Sequence, residues 1–181
     1  NQGMLDRIFL LEGYTPLALK RIFPLAKSPE QSMQVLNAKY RLKFDTVADN
    51  GESHNTWRLI EDSSFFPRAF FAYNYRVFST ATQESLFLVN DEFNPHNIVA
   101  LEESPNITSL DTTFSDKWKA KIISYKNNSI TLKVSTSKLG ILVLSEVFYP
   151  GWVAYVDGIQ TSVYRADWSL RALMVNPGEH T

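Results

Sequence analysis

Two periodicities of apolar and polar positions alternate along the chain. Ser28-Pro29-Glu30-Gln31 combines a hydroxyl N-cap, a proline at the first helical position and a glutamine three residues after the cap, which predicts a helix ending near Leu36. Thr15-Pro16 predicts an earlier helix through LALKRIF, stopped by Pro24. After Leu36 the period becomes two. Tyr40, Leu42 and Phe44 fall on one face, and Lys39, Arg41 and Lys43 on the other, the pattern of a half-buried strand. TWRLIE (56–61) and PRAFFAYNYRVF (67–78) are also predicted strands; in the second, Ala69, Phe71, Tyr73, Tyr75 and Val77 share a face. A short helix is expected over 82–90 and a strand over 97–103. SPNITSLDTTFSD (104–116) is rich in Ser, Thr, Asp, Asn and Pro and is the linker candidate.

Beyond residue 116 the pattern is all β. WKAKIISY, SITLKVS, GILVLSEVFY, WVAYV, IQTSVY and SLRALMV are short strands separated by turn signals, the spacing of a sandwich. Ile130, Leu132 and Val134 alternate with Thr131, Lys133 and Ser135. The expected fold is α+β and β-rich. Helices lie against a small mixed sheet over 1–103, followed by the 104–116 linker and a β-sandwich-like part over 117–181. VNPGEHT stops just after a Pro-Gly turn, where a partner strand is expected to begin, so the last strand is expected to be truncated. The N-terminus also reads as a cut end, with no initiator Met and no basic start before an apolar run.

FYPGWVAYVDG (148–158) concentrates aromatics around two turns. Asp157-Gly158 suits a two-residue type I′ turn, which pairs Val156 with Ile159, Ala154 with Thr161 and Trp152 with Val163. That face is mostly apolar, so Trp152 is read as core. The opposite face carries Val153, Tyr155, Gln160, Ser162 and Tyr164 and is wetter. Tyr155 and Tyr164 there either stack on a sugar ring or simply cover the sheet. Arg165, Asp167 and Trp168 follow in YRADW, a composition that serves a carbohydrate site or an Arg–Asp brace at a corner. These five residues are the glycan-binding candidates.

Composition removes several classes. With 181 residues, 44% of them hydrophobic, the chain can bury a substantial core. Eighteen basic against nineteen acidic side chains leave a net charge of −1, without the basic surplus of a nucleic-acid binder. There is no cysteine, hence no disulfide, thiol nucleophile or Cys-based zinc site. His54, His96 and His180 lack metal-ligand spacing, and no nucleotide or phosphate loop is present, so neither metal nor cofactor is expected. Gly51-Glu52-Ser53-His54-Asn55 resembles a nucleophile elbow without its second glycine and is read as a polar loop. No catalytic set emerges, and no apolar run is long enough to span a membrane.

EGYTPLALKR (12–21), VLNAKYRL (35–42), PRAFF (67–71), DEFNPHNIVALEE (91–103), LVLSEVFYPGWVAYVDG and YRADWSLRALMVNPGEHT, in this order and spacing, resemble the C-terminal soluble region of the YfhO family of bacterial polytopic membrane proteins. Thr15 stands where the family often has Asp, and Asn94 where Asp is also frequent. The family is similar to GT-C glycosyltransferases, which implies lipid-linked sugar donors and catalytic carboxylates in outer loops of a membrane part. The resemblance therefore implies an extracytoplasmic domain at the cell membrane. Its partners would be the transmembrane part of the same protein and an envelope glycan or lipid-linked sugar, and it would not be catalytic by itself. The rival reading is a free-standing secreted carbohydrate-binding or adhesion module; a scaffold that binds nothing is a third.

Overall fold

The computed structural model describes residues 21, 26–49, 52–107 and 109–181. The helix expected after Thr15-Pro16 lies outside the described residues. Helix α1 (Pro29–Val35) forms as its cap dictates: Ser28 Oγ accepts the Gln31 N–H at 3.2 Å, and Gln31 Oε1 accepts the Lys27 N–H at 3.1 Å. Strands β1 (Tyr40–Asp49) and β2 (Glu52–Glu61) then pair antiparallel as a two-stranded hairpin. Glu52–Asn55 is strand, not polar loop, because β1 continues far enough to pair with it; Thr46 Oγ1 donates to Asn55 Oδ1 at 2.7 Å.

Tyr40, Leu42 and Phe44 do share a face, and Trp57 and Leu59 join them from across the hairpin. That face is not half-buried. Its five large side chains are each 51% to 67% exposed, since among the described residues no second layer packs on this two-stranded ribbon.

The remaining elements are β3 (Ala69–Ala72), β4 (Tyr75–Val77), α2 (Ala81–Leu88), β5 (Val99–Leu101), β6 (Trp118–Lys126) and β7 (Ser129–Thr136). They are followed by β8 (Gly140–Val147), β9 (Ala154–Val156), β10 (Ile159–Thr161), β11 (Tyr164–Ala166), β12 (Leu170–Val175) and β13 (Gly178–His180). The stretch 104–116 carries no strand or helix among its described residues. A six-stranded sheet runs β3-β8-β12-β11-β5-β4, so strands from both sides of that stretch share one sheet.

Its edges explain its shape. β3 and β4 lie at opposite edges yet are separated in sequence by Tyr73 and Asn74 alone. A link that short spans roughly 10 Å, so the sheet must curl until its edges nearly meet. The break also divides the strand expected over 67–78. Asn74 Oδ1 accepts the Tyr75 N–H at 2.9 Å, and the chain turns to pair in parallel with β5. Tyr75 consequently packs on a different core from Ala69, Phe71 and Tyr73.

Phe70, Ala72, Val99, Leu101, Ile141 and Val143 fill the inside of the curl, with Val35, Leu36 and Phe66 packed on them. On the outer face, Ala69, Phe71, Tyr73 and Leu142 meet Val134, Leu132 and Trp118 of a three-stranded sheet ordered β13-β7-β6. Tyr73 Oη and Thr136 Oγ1 bridge the two sheets at 2.9 Å. Elsewhere α2 covers the curl with Phe87 and Leu88 against Ala100. Strands covered on both faces read as apolar runs without alternation, as AFFA, VAL and ILV do.

Gly140 marks the tightest approach. A Cβ there would lie 2.8 Å from Tyr73 Cε1 and 2.9 Å from Phe71 Cδ1. Gly140→Ala is expected to lower stability by about 1–3 kcal/mol through overpacking. Urea unfolding checks this, and an unchanged midpoint would show that the aromatic pair yields freely.

Candidate functional site

The 148–163 segment builds the site. Gly151, at φ 105°, turns the chain after Pro150, and Asp157 (φ 52°) with Gly158 (φ 81°) makes the tight hairpin turn expected from the sequence. Val156 pairs with Ile159, Tyr155 with Gln160 and Ala154 with Thr161. The turn is tied down from the chain's last residues. His180 Nδ1 meets Asp157 Oδ2 at 2.7 Å, and the Thr181 N–H donates to Asp157 Oδ1 at 2.8 Å. The pair shifts both partners: the Asp157 carboxylate raises His180, and the hydrogen bond from His180 lowers Asp157.

Tyr155 stands 56% exposed on the wet face. Trp152, expected as core, is half-buried and forms a wall between two cavities. The inner one, about 510 Å³, lies between the facing sheets. Ile130 and Leu132 line one side, Leu142, Leu144 and Leu173 the other, and residues 151–155 complete it. The outer groove, about 440 Å³, is lined by Phe148, Val153, Gln160 and Ser162.

One cation lines the inner cleft. The register sets Arg171 opposite Leu144 and Leu173 opposite Leu142, so Arg171 stands on the cleft-facing side of β12. Its side chain is 10% exposed, and its guanidinium lies 4.2 Å from the Trp152 ring centre. Between Leu170 and Arg171 the pairing with β8 slips, leaving Ser145 and Glu146 in a bulge. Ser145 Oγ donates inward to the Val35 carbonyl at 2.5 Å. Glu146 accepts from Arg68 at 3.0 Å, from Tyr125 Oη at 2.8 Å and from Arg171 at 3.4 Å. Burial pushes Arg171 down and Tyr125 up, while Glu146 counters the Arg171 shift. The Arg171 Nε has no hydrogen-bond partner among the described residues.

Sequence patterning did not single out Arg171 or Glu146. The available signal was a single charge interrupting an otherwise apolar strand, in LRALMV and in ILVLSEV.

The five glycan-binding candidates occupy different settings. Tyr155 is on the hairpin. Tyr164, on β11, packs half-buried against the inner core. Arg165 pairs with Glu102 at 3.6 Å and stacks on Phe148 of the outer groove at 4.8 Å. Asp167 is 1% exposed and does not brace Arg165; its Oδ1 accepts the Ala100 N–H at 2.9 Å, and its own N–H donates to the Ala100 carbonyl at 2.9 Å. Trp168 takes the left-handed φ of 75° that bulky residues rarely adopt; its N–H is held by Glu84 at 3.0 Å, and Arg21 stacks on its ring at 3.9 Å. The structure thus joins Arg165 to the groove and seals Asp167 away from it.

Among the described residues no group of three or more His, Cys, Asp or Glu is placed to hold a metal ion, and no helix is long and apolar enough to cross a membrane. Comparison with family models, with curated proteins and with solved structures gives no match for this chain.

Burial pushes Asp167 from 3.8 up to about 7, and nearby Glu84 adds to the shift. The folded chain therefore holds a proton that the unfolded chain has released. This contribution is fully present below pH 4 and is lost as pH rises toward 7. Asp167→Asn keeps the acceptor for Ala100 and removes the titration. Relative to wild type it is expected to gain stability from pH 4 to 7, by up to ~4 kcal/mol. Urea unfolding at several pH values checks this; parallel curves for the two proteins would exclude it.

Proposed function

We propose that the chain is a binding domain and not a catalytic one, the extracytoplasmic part of a YfhO-like membrane protein that holds an envelope glycan for it. In this reading helices pack on a small mixed sheet, and the C-terminal part is a sandwich-like unit whose β9–β10 hairpin presents the ligand surface. The observation that carries the proposal is the hairpin itself. Exposed Tyr155, at the rim of the inner cleft, pairs across the hairpin with Gln160, which lines a groove walled by Trp152 and Phe148. Aromatic faces supply apolar stacking for a sugar ring, and the amide and hydroxyl of Gln160 and Ser162 supply hydrogen bonds to its hydroxyls.

Of the five candidates, Tyr155 and Arg165 would serve this groove, Arg165 by holding Phe148. Tyr164, Asp167 and Trp168 would shape the strand and turn behind it. Binding of this kind, by one shallow groove, is expected to be weak, on the order of a millimolar Kd.

Titration of envelope oligosaccharides into the isotope-labelled domain tests the reading. Amide shifts are expected at Tyr155, Gln160 and Ser162, with loss of the shifts in Tyr155→Ala. Shifts confined to the other face of the molecule, or turnover of a lipid-linked sugar by the chain alone, would refute it.

A further inference from the structure

The inner cleft has a chemistry that the outer groove does not share. Its walls are leucine and isoleucine from two facing sheets, yet one side carries the Arg171 guanidinium, nine-tenths buried. A guanidinium offers five N–H donors. Among the described residues the Nε–H has no acceptor, and the contact to Glu146 Oε2 is a long 3.4 Å, while Arg68 and Tyr125 bind the other oxygen, Oε1, at 3.0 and 2.8 Å. A buried cation so thinly partnered is costly unless an anion completes it. We infer that the cleft is a binding site for an anionic amphiphile, whose carboxylate or phosphate head meets Arg171 and whose single aliphatic chain lies among Leu132, Leu142, Leu144 and Leu173.

Size and charge both favour this class. At about 30 Å³ per water-sized atom group, 510 Å³ holds roughly 17 heavy atoms, room enough for a 12-carbon carboxylate. Among the described residues Arg171 is the one charged side chain lining the cleft; the polar residues Asn128, Ser129 and Thr131 gather at the β6–β7 turn and the start of β7, and Tyr155 and Thr181 line the hairpin side, which leaves the leucine walls between them apolar. Trp152, Val153 and Val163 line both cavities, but Arg171 and the leucines that would hold the head and the chain line the inner one and not the outer groove. The inference therefore does not rest on glycan binding in the groove.

The test uses the whole chain, with dodecanoate, dodecyl phosphate, dodecanol and dodecyltrimethylammonium below their micelle-forming concentrations. Calorimetry and methyl NMR follow binding. Both anions are expected to bind one to one, at least tenfold tighter than the alcohol or the cation, with shifts at the Leu132, Leu144 and Leu173 methyls. Either order of the two anions upholds the site and names the head it takes. Arg171→Met leaves Glu146 with Arg68 and Tyr125; it is expected to weaken dodecanoate by about tenfold to a hundredfold and leave dodecanol unchanged. If that variant does not fold, the anion-to-cation ratio on the wild-type chain decides. Equal binding of all four probes, or shifts centred on Leu42 and Leu59 of the exposed hairpin face, would overturn the proposal.

Discussion

Glu146 is the acceptor on which the arrangement of the two sheets depends. From its bulge on β8 it takes hydrogen bonds from Tyr125 of the three-stranded sheet, from Arg68 at the entry to β3 and from Arg171 of β12. A guanidinium is tolerated between apolar faces when a carboxylate stays with it, so the layers cannot close completely where Arg171 stands. At the other end they do close. Val134, Phe71 and Trp118 pack directly, and the Tyr73–Thr136 hydrogen bond bridges the layers. The interlayer space is accordingly packed at one end and open at the other, where Trp152 stacks on the cation.

Two further carboxylates do different work. Asp167 and Glu84 are both sealed and both shifted upward, which in a cleft would mark acid–base chemistry. Neither lines the inner cleft or the outer groove. Each instead holds a backbone N–H, Asp167 that of Ala100 and Glu84 that of Trp168, in the turn that carries β11 into β12. They hold two consecutive left-handed residues in place and so fix the strand that positions Arg171. Their shifts express burial in a structural turn.

What the sequence made legible was local. The Ser28 N-cap, the Asp157-Gly158 turn and the alternation of Ile130, Leu132 and Val134 each depend on neighbours within a few residues and appear in the fold, although the Gln31 side chain reaches the Lys27 N–H and not that of Ser28. The curl was not legible, because the placement of β3 and β4 at opposite edges is decided by pairings with β8 and β5, far along the chain. Nor was the exposure of Leu42 and Trp57, since period two marks an apolar face without saying whether another layer covers it. Of the candidate site, the aromatic hairpin could be read from FYPGWVAYVDG. Its relation to Arg171 could not, because a charge inside an apolar strand acquires meaning once the facing sheet is known.

Arg171 lies inside an apolar gap, and its Nε–H has no acceptor among the described residues. Its Nε–H resonance reports this directly. In the ligand-free chain the ¹⁵Nε–¹H signal of Arg171, assigned by its loss in Arg171→Met, is expected to exchange slowly with water and to lack the shift of a hydrogen-bonded proton. Adding dodecanoate is expected to move it downfield. Rapid exchange with water, like that of a surface arginine, or a signal already hydrogen-bonded and indifferent to the anion, would contradict the claim.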